Sequence, residues 1–289
     1  MLTTEAILKK VRELEIKSKK LTTHLFTGEY HSAFKGKGMS FREVREYYPG
    51  DDTRFIDWNV SARFSHPFSK VFEEERELTV FLLVDISNSN LFGTVGSRKK
   101  DLITEIGAVL TFSAISNNDK VGAIFFSDKI EKYIAPKKGR QHALYIVREL
   151  LSVEPKGKST RMEDAIRFFN KTCRQKSIAF VLSDFTDVEY ESDLKVISGR
   201  HDVIGVRIYD KMDAYLPDAG LMQIEDLETG SKRWVDSSDK LAQYNYHQHF
   251  LKQNDLCKNY FKKAGADLLH IRTGEDYVKV LQQFFIKRS

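Results

Sequence analysis

Two aspartates and three hydroxyl residues stand at positions where they could bind a cation. Asp85, Ser87 and Ser89 form the pattern D-x-S-x-S directly after the apolar run LTVFLLV, and Asp184 directly follows SIAFVLS. Between them, Thr160 stands just before a predicted helix. All five side chains offer hard oxygen ligands, which select Mg²⁺, Mn²⁺ or Ca²⁺ over zinc or copper. They are therefore candidate ligands of one divalent metal.

The D-x-S-x-S spacing suits a shared cation, because alternate residues of a tight strand-to-helix turn can point to one side. Serine and threonine hydroxyls are weak neutral ligands that orient the ion without cancelling its charge. One octahedral position then stays open for an outside carboxylate. Taken alone, Asp85 or Thr160 is more simply interpreted as a turn or cap residue. Their placement after strands and before a helix favours the metal site.

The elements that must position these residues follow a regular alternation from residue 78 onward. Strands are predicted at 78–87, 120–128, 129–137 (an edge strand), 177–185, 202–210 and 267–273. Helices are predicted at 98–117, 139–153, 161–174, 189–200, 238–264 and 275–287. This alternation predicts an α/β fold with a doubly wound, mostly parallel sheet, in which ligands bind beyond the carboxyl ends of the strands.

The chain is predicted to divide into two parts. Residues 1–75 form an N-terminal extension, with a helix at 4–20 followed by short strands and loops. Residues 76–289 form the α/β domain, with a hairpin insertion at about 211–237.

Composition predicts a folded protein in the cytoplasm. An apolar share of 41% supplies a core, and the formal charge of +5 is ordinary for a chain of 289 residues. No window reaches the run of about 18 apolar residues that a membrane span needs, and the N-terminus lacks the apolar centre of a signal peptide. Cys173 and Cys257 show no metal-type spacing and are expected to be free thiols.

The sequence predicts a protein that is not an enzyme. It lacks a Walker A motif, G-x-S-x-G, H-E-x-x-H and a glycine-rich dinucleotide fingerprint. One alternative is a magnesium-dependent phosphoester hydrolase, although Ser87 replaces the second aspartate of the D-x-D pattern that such enzymes of the haloacid dehalogenase type use. Another is binding to nucleic acid or an anionic surface through N-terminal lysines, which are more simply interpreted as a solvated helix face. These are Lys9, Lys10, Lys17, Lys19, Lys20, Lys35 and Lys37.

Three motifs together resemble the metal-ion-dependent adhesion site of von Willebrand factor A domains. They are DISNS (85–89), the T-x-x-x-D-A pattern that begins at Thr160, and LSDF (182–185). In that family the first Asp, both Ser, the Thr and the second Asp ligate Mg²⁺ directly or through water. The resemblance implies the same role for Asp85, Ser87, Ser89, Thr160 and Asp184, with a partner's Asp or Glu completing the shell.

The segment GKGMSFREVREYYPGDDTRFIDWNVSAR (36–63) resembles the signature of the bacterial domain-of-unknown-function 58 (DUF58) family. The resemblance extends from about residue 20 to residue 210. It implies association with MoxR-type AAA+ ATPases, and hence a chaperone-like adaptor in the assembly or maturation of client proteins. Many members carry N-terminal membrane helices, so this chain is expected to be a soluble variant. Asn90 replaces the Met that commonly follows the second Ser, and it is expected to lie outside the metal shell.

The signature itself is expected to be structural. Its arginines are predicted to pair with Asp51, Asp52 and Asp57, and Trp58 to pack on the main domain and hold the extension in place. The arginines are Arg42, Arg45, Arg54 and Arg63.

Overall fold

The computed structural model of the protein describes residues 9–16, 40–64, 66–73, 78–94, 98–155, 157, 159–187, 189–225 and 230–288. Several predictions fall outside these ranges. They concern the two ends of the N-terminal helix, the signature residues 36–39, and the lysines Lys17, Lys19, Lys20, Lys35 and Lys37.

A six-stranded sheet forms the centre of the fold, in the order β10-β7-β6-β3-β4-β5. Its strands are β3 (Thr79–Asp85), β4 (Lys120–Phe126), β5 (Ile130–Lys137), β6 (Ile178–Ser183), β7 (Asp202–Tyr209) and β10 (Asp267–Arg272). All neighbours pair in parallel except β5, which runs antiparallel to β4 at one edge. The predicted fold class and the predicted edge strand are therefore confirmed.

Helices cover both faces of this sheet. They are α3 (Lys99–Ser116), α4 (Arg140–Ser152), α5 (Met162–Thr172), α6 (Glu191–Ser198), α7 (Lys211–Ala214), α8 (Lys240–Ala264) and α9 (Tyr277–Arg288). Side chains of β3 alternate between the two layers, because Leu82 packs with α3, α4 and α9, whereas Phe81 and Leu83 pack with α5, α6 and α8. This explains the near-continuous apolar runs, since both faces of each central strand are buried.

The N-terminal helical segment packs on the outer side of α3 and α4. Residues 9–16 are helical (α1), and Val11 and Leu14 are buried against Phe112 of α3 and Val147 of α4. The side chain of Arg140 also donates to Glu15 at 2.6 Å. The contact places the basic residues Lys9 and Lys10 on a helix that is anchored to the domain.

The signature segment forms a small unit of its own. Strands β1 (Ser40–Glu46) and β2 (Phe68–Glu73) pair antiparallel around a 3-10 turn, Thr53–Phe55, and a short helix, α2 (Trp58–Phe64). Helix α2 was not predicted, because seven residues are too few to show a helical period. A two-stranded hairpin, β8 (Leu221–Glu225) and β9 (Lys232–Asp236), lies within the segment 211–237.

The expected packing of the signature is partly wrong. Arg45 bonds Asp51 at 2.9 Å and Arg54 bonds Asp52 at 2.6 Å, as expected, whereas Asp57 pairs with Lys70 at 3.3 Å. The Trp58 side chain is not packed on the main domain, because 70% of its surface is exposed. The ion pairs shape the segment locally and leave its aromatic residue facing solvent.

No described helix is both long and apolar enough to cross a membrane.

Candidate metal centre

The candidate metal ligands lie at the middle of the sheet, where the strand order changes direction. Strand β3 has β4 on one side and β6 on the other, so the strands that follow β3 in the chain are added first on one side of it and then on the other. Such a switch point leaves a crevice at the carboxyl ends of the strands. Val84 pairs with Leu182, which brings the ends of the two strands, Asp85 and Ser183, to the same level.

Asp85 is held rigidly by three contacts at the end of β3. The hydroxyl of Ser183 donates to Oδ2 at 2.6 Å, and the backbone N–H of Ser87 donates to Oδ1 at 2.9 Å. The amide of Asn90 donates to the Asp85 carbonyl oxygen at 3.2 Å. Because Asp85 is 1% exposed, its carboxylate is removed from bulk water.

The two serines connect Asp85 to Asp184. The hydroxyl oxygens of Ser87 and Ser89 lie 3.0 Å apart, and the Ser89 side chain also hydrogen-bonds Asp184. Asp85, Ser87, Ser89 and Asp184 therefore form one connected cluster, as the sequence predicted for these four.

The negative charge of Asp184 is compensated by a buried lysine, Lys99, which no sequence motif indicates. The ammonium group of Lys99 lies 2.9 Å from Oδ2 of Asp184 and 3.3 Å from Oδ2 of Asp213, and the lysine is only 3% exposed. Burial alone raises the pKa of Asp184, but the charge of Lys99 and its hydrogen bond outweigh burial and lower that pKa below its usual range. Asp184 is therefore ionised at neutral pH.

Asp85 has the opposite electrostatic situation. Burial, followed by the negative charge of Asp184, raises the pKa of Asp85 to about 6, and the hydrogen bonds from Ser183 and Ser87 only partly oppose this. The protein thus supplies too little positive charge for Asp85. A cation bound between the two carboxylates would remove this deficit.

Thr160 lies at the same edge of the sheet. It is half-buried in the loop before α5. The next backbone N–H, of Arg161, donates to the Ser127 carbonyl after β4, and that of Met162 donates to Asp187 after β6. The loop is therefore attached to both strands that flank β3. The contacts above join the other four residues, and metal ligation by all five stays a prediction.

Asn90 lies closer to the cluster than expected. It is fully buried and its amide donates to the Ser87 hydroxyl at 3.3 Å, so it contacts a candidate ligand, and its place outside the metal shell stays a prediction. Its Oδ1 is buried and has no hydrogen-bond partner in the described part of the chain. A buried oxygen of this kind normally has a donor, and a metal-bound water would supply one.

The donor set fits a hard divalent cation. Within the described ranges, no group of three or more His, Cys, Asp or Glu side chains is arranged to hold a metal. A metal here must therefore use hydroxyl and carboxylate oxygens together, which suits Mg²⁺ and does not suit zinc.

Asp210 fixes the loop that carries the two serines. It follows β7 as Asp85 follows β3, and it is fully buried. Its carboxylate accepts the hydroxyls of Thr94 at 2.6 Å and Thr273 at 2.5 Å, and the N–H of Met212 at 2.9 Å. Asp210 follows an apolar strand, so the same sequence signal that marks Asp85 and Asp184 marks Asp210 as well.

The turn after Asp184 has an unusual backbone. Phe185 adopts φ 53°, a left-handed conformation that non-glycine residues rarely take. Its ring is buried and packs edge-on against Phe261 of α8 at 5.3 Å. The packing of the ring stabilises the turn that directs Asp184 toward the site.

A family model and curated relatives match this chain. A family model described as "Protein of unknown function DUF58" matches residues 43–255. The uncharacterized protein Rv1480 of Mycobacterium tuberculosis is 29% identical over 281 residues, covering 96% of this chain and 88% of that protein. YeaD of Bacillus subtilis is 36% identical over 108 residues, covering 37% of this chain and 25% of that protein.

Solved structures share the fold at low sequence identity. The conserved hypothetical protein BatB from Bacteroides thetaiotaomicron has a TM-score of 0.53 and 17% identity, over 73% of this chain and 98% of that chain. An aerotolerance-related membrane protein from Bacteroides fragilis has a TM-score of 0.51 and 18% identity, over 73% of this chain and 99% of that chain. The central D-x-S-x-S strand and the antiparallel edge strand agree with the von Willebrand factor A-like fold that the sequence predicted. Since the family model spans well over half of the sequence, this chain belongs to the DUF58 family.

Proposed function

We propose that the protein is a non-enzymatic, divalent-metal-dependent protein-interaction module. Asp85, Ser87, Ser89, Thr160 and Asp184 hold the metal, which is Mg²⁺ or, alternatively, Mn²⁺ or Ca²⁺. An Asp or Glu of a partner protein supplies the remaining ligand.

The excess of negative charge around Asp85 is the observation that carries this proposal. The ammonium group of Lys99 pairs with Asp184 and Asp213, whereas the charge of Asp184 adds to burial in raising the pKa of Asp85. Buried charges without compensation are costly. A dication relieves the repulsion between Asp85 and Asp184, and its neutral serine ligands leave it enough positive charge to attract one more carboxylate.

Local chemistry favours binding over catalysis. The Ser87 side chain hydrogen-bonds the Ser89 hydroxyl, the Asn90 amide and the carboxylate of Asp85, which in the proposed site is bound to the cation and is therefore a poor base. A nucleophilic serine needs a base within hydrogen-bond reach. Ser87 is therefore suited to ligate a metal and not to attack a substrate.

The partner follows from the family resemblance. We propose a MoxR-type AAA+ ATPase, or a client protein that the ATPase remodels, with the chain acting as a chaperone-like adaptor in the cytoplasm. In this proposal the partner binds only when the metal is bound, because the metal ion is the group that the partner's acidic side chain ligates.

Calorimetry of Mg²⁺ binding tests the site directly. The wild-type protein is expected to bind one Mg²⁺, and Asp85→Ala is expected to lose this binding. Asp255→Asn is a matched control, since Asp255 is an exposed aspartate on α8, and it should bind as the wild type does.

Capture of the MoxR-type ATPase of the same organism tests the partner. Binding is expected in Mg²⁺ and should be lost in EDTA and in Asp85→Ala. If Asp85→Ala held the ATPase or client as tightly as wild type in magnesium buffer, the role of the metal would be wrong. Magnesium-dependent turnover of a phosphoester that Asp85→Ala abolished would instead favour a hydrolase.

A further inference from the structure

A small cavity opens beside Asp184, and Asp85 is not among the residues that line it. Its volume is about 150 Å³, and its walls include Lys99, Asp184, Arg207, Tyr209, Asp213 and Phe250. The wall therefore combines two cations and two carboxylates with the aromatic rings of Tyr209, Tyr246 and Phe250. Since Asp184 also belongs to the candidate metal centre, the cavity adjoins that centre directly.

In the described part of the chain, no ion pair neutralises the charge of Arg207, which lies in this wall. It is 2% exposed, on the central strand β7. Its Nε donates to the backbone carbonyl of Asp184 at 3.2 Å, one Nη donates to the Asn254 side-chain oxygen at 2.8 Å, and the guanidinium lies 5.2 Å from the Phe250 ring centre. All these partners are neutral groups. No carboxylate of the described ranges lies within ion-pair distance of Arg207.

The neighbouring Lys99 shows what a buried cation normally requires. Its ammonium group lies within 3.3 Å of two carboxylates. A buried charge that lacks a counter-ion is unfavourable, and Arg207 is one of the residues that line the cavity. This arrangement is expected where the counter-ion is an exchangeable ligand.

The chemistry of the wall limits what that ligand can be. A guanidinium binds a carboxylate through two parallel hydrogen bonds. Asp184 and Asp213 would repel a doubly charged phosphate more strongly than a singly charged carboxylate. Tyr209 and Phe250, whose ring centres lie 5.4 Å apart, offer apolar surface to the carbon stem of the ligand.

We propose that this cavity is a receptor for a single carboxylate group, bound by Arg207 next to the metal centre. If the function proposed above holds, the partner presents two acidic side chains, one to the metal and one to Arg207. Affinity of the cavity for a carboxylate does not itself require the metal, so the two ideas can fail separately.

Titration with acetate and glutarate, followed by the backbone amide NMR shifts of the residues that line the cavity, tests the proposal, because these signals persist when Arg207 is replaced. Each titration is run in EDTA and in Mg²⁺ at constant ionic strength, with propionamide as the uncharged control and inorganic phosphate as the competing anion. The variants are Arg207→Gln and Arg207→Lys, with thermal unfolding as the check on folding. Arg167→Gln is the matched control, because Arg167 is exposed and already paired with Asp193.

Wild type and Arg167→Gln are expected to bind acetate saturably in EDTA, with propionamide at least tenfold weaker. Arg207→Gln should lose at least tenfold in affinity, and Arg207→Lys should fall between the two. Acetate binding that occurs only in Mg²⁺, or that is unchanged in folded Arg207→Gln, would overturn the cavity proposal, and tighter binding of phosphate would overturn the ligand class. Absence of Mg²⁺ binding alongside normal acetate binding would refute the metal site alone.

Discussion

Replacing Asp85 by asparagine removes one negative charge from the end of β3 and nearly preserves the shape of the side chain. The oxygen of the asparagine can still accept the Ser87 N–H that Asp85 accepts at 2.9 Å. The variant therefore separates the charge of Asp85 from its packing. We expect Asp85→Asn to make the metal-free protein more stable than wild type, although it removes a candidate ligand.

The magnitude follows from the pKa of Asp85. Burial and the charge of Asp184 raise it from 3.8 to about 6, and each pKa unit corresponds to 1.36 kcal/mol. Keeping Asp85 ionised at pH 8 therefore costs the folded protein about 3 kcal/mol. The variant loses a hydrogen bond from Ser183 that is worth about 1 kcal/mol. We expect Asp85→Asn to gain about 2 kcal/mol in free energy of unfolding.

The assay is urea unfolding in EDTA at several pH values. Because the folded pKa lies above the unfolded one, the folded wild type binds more protons between about pH 4 and pH 6. The stabilisation that comes from protonating Asp85 is therefore fully present below pH 4 and is lost as the pH rises through 6. The advantage of Asp85→Asn should be largest at pH 8. Toward pH 4 it should reverse to a deficit of about 1 kcal/mol, because the protonated Asp85 carries no charge penalty and the variant still lacks the Ser183 hydrogen bond.

Mg²⁺ and a second aspartate provide the controls. Saturating Mg²⁺ should stabilise wild type, by about 2.7 kcal/mol at a hundred times Kd, and should not stabilise Asp85→Asn. Asp210→Asn should have the opposite sign in EDTA: burial raises the pKa of Asp210, but the hydroxyls of Thr273 and Thr94 outweigh it and lower that pKa. A metal-free Asp85→Asn less stable than wild type at pH 8 would refute the electrostatic reasoning.

Three further predictions concern residues around the site. Lys99→Met leaves the buried Asp184 and the half-buried Asp213 uncompensated and should cost about 3–5 kcal/mol in EDTA, with part of the loss restored by Mg²⁺ in urea unfolding. Thr94→Val removes the 2.6 Å hydrogen bond to Asp210 and should cost about 1 kcal/mol, with weaker Mg²⁺ binding by calorimetry because the serine loop loses an anchor. Gly205→Ala would place a methyl group 2.4 Å from the Phe261 ring and should lower the thermal midpoint by overpacking worth about 1–3 kcal/mol.

The sequence predicted the sheet well because its signal is local and repeated. Each central strand is an apolar run covered on both faces, as the alternation of Phe81 and Leu82 between two helical layers shows. Polar residues that end such runs must lie at one edge of a parallel sheet. Asp85 and Asp184 could therefore be paired before any coordinates were known.

Tertiary context decided what the sequence could not show. Lys99 stands in a run of three basic residues, and only the fold determines which of them is buried beside Asp184. Arg207 is similarly buried on β7, and the apolar pattern of that strand gives no reason to expect a buried arginine. Trp58 was expected to pack because tryptophan is usually buried, yet ion pairs among its neighbours shape that segment and leave the ring exposed.

The tetrapeptide at the end of β6 combines four separate physical requirements. Leu182 packs in the core, and the Ser183 hydroxyl donates a hydrogen bond to Asp85. Asp184 forms an ion pair with Lys99. Phe185 adopts a left-handed turn and packs its ring against α8. Damage at each position should therefore be recognisable by a different measurement: loss of core packing, a shift in the Asp85 titration, loss of ion affinity, or altered dynamics of α8. Helix α8 therefore contacts the metal edge through the Phe185 ring and through Arg207, which bonds both the Asp184 carbonyl and Asn254 of α8. A protein that binds α8 is expected to change the affinity of this edge for a cation.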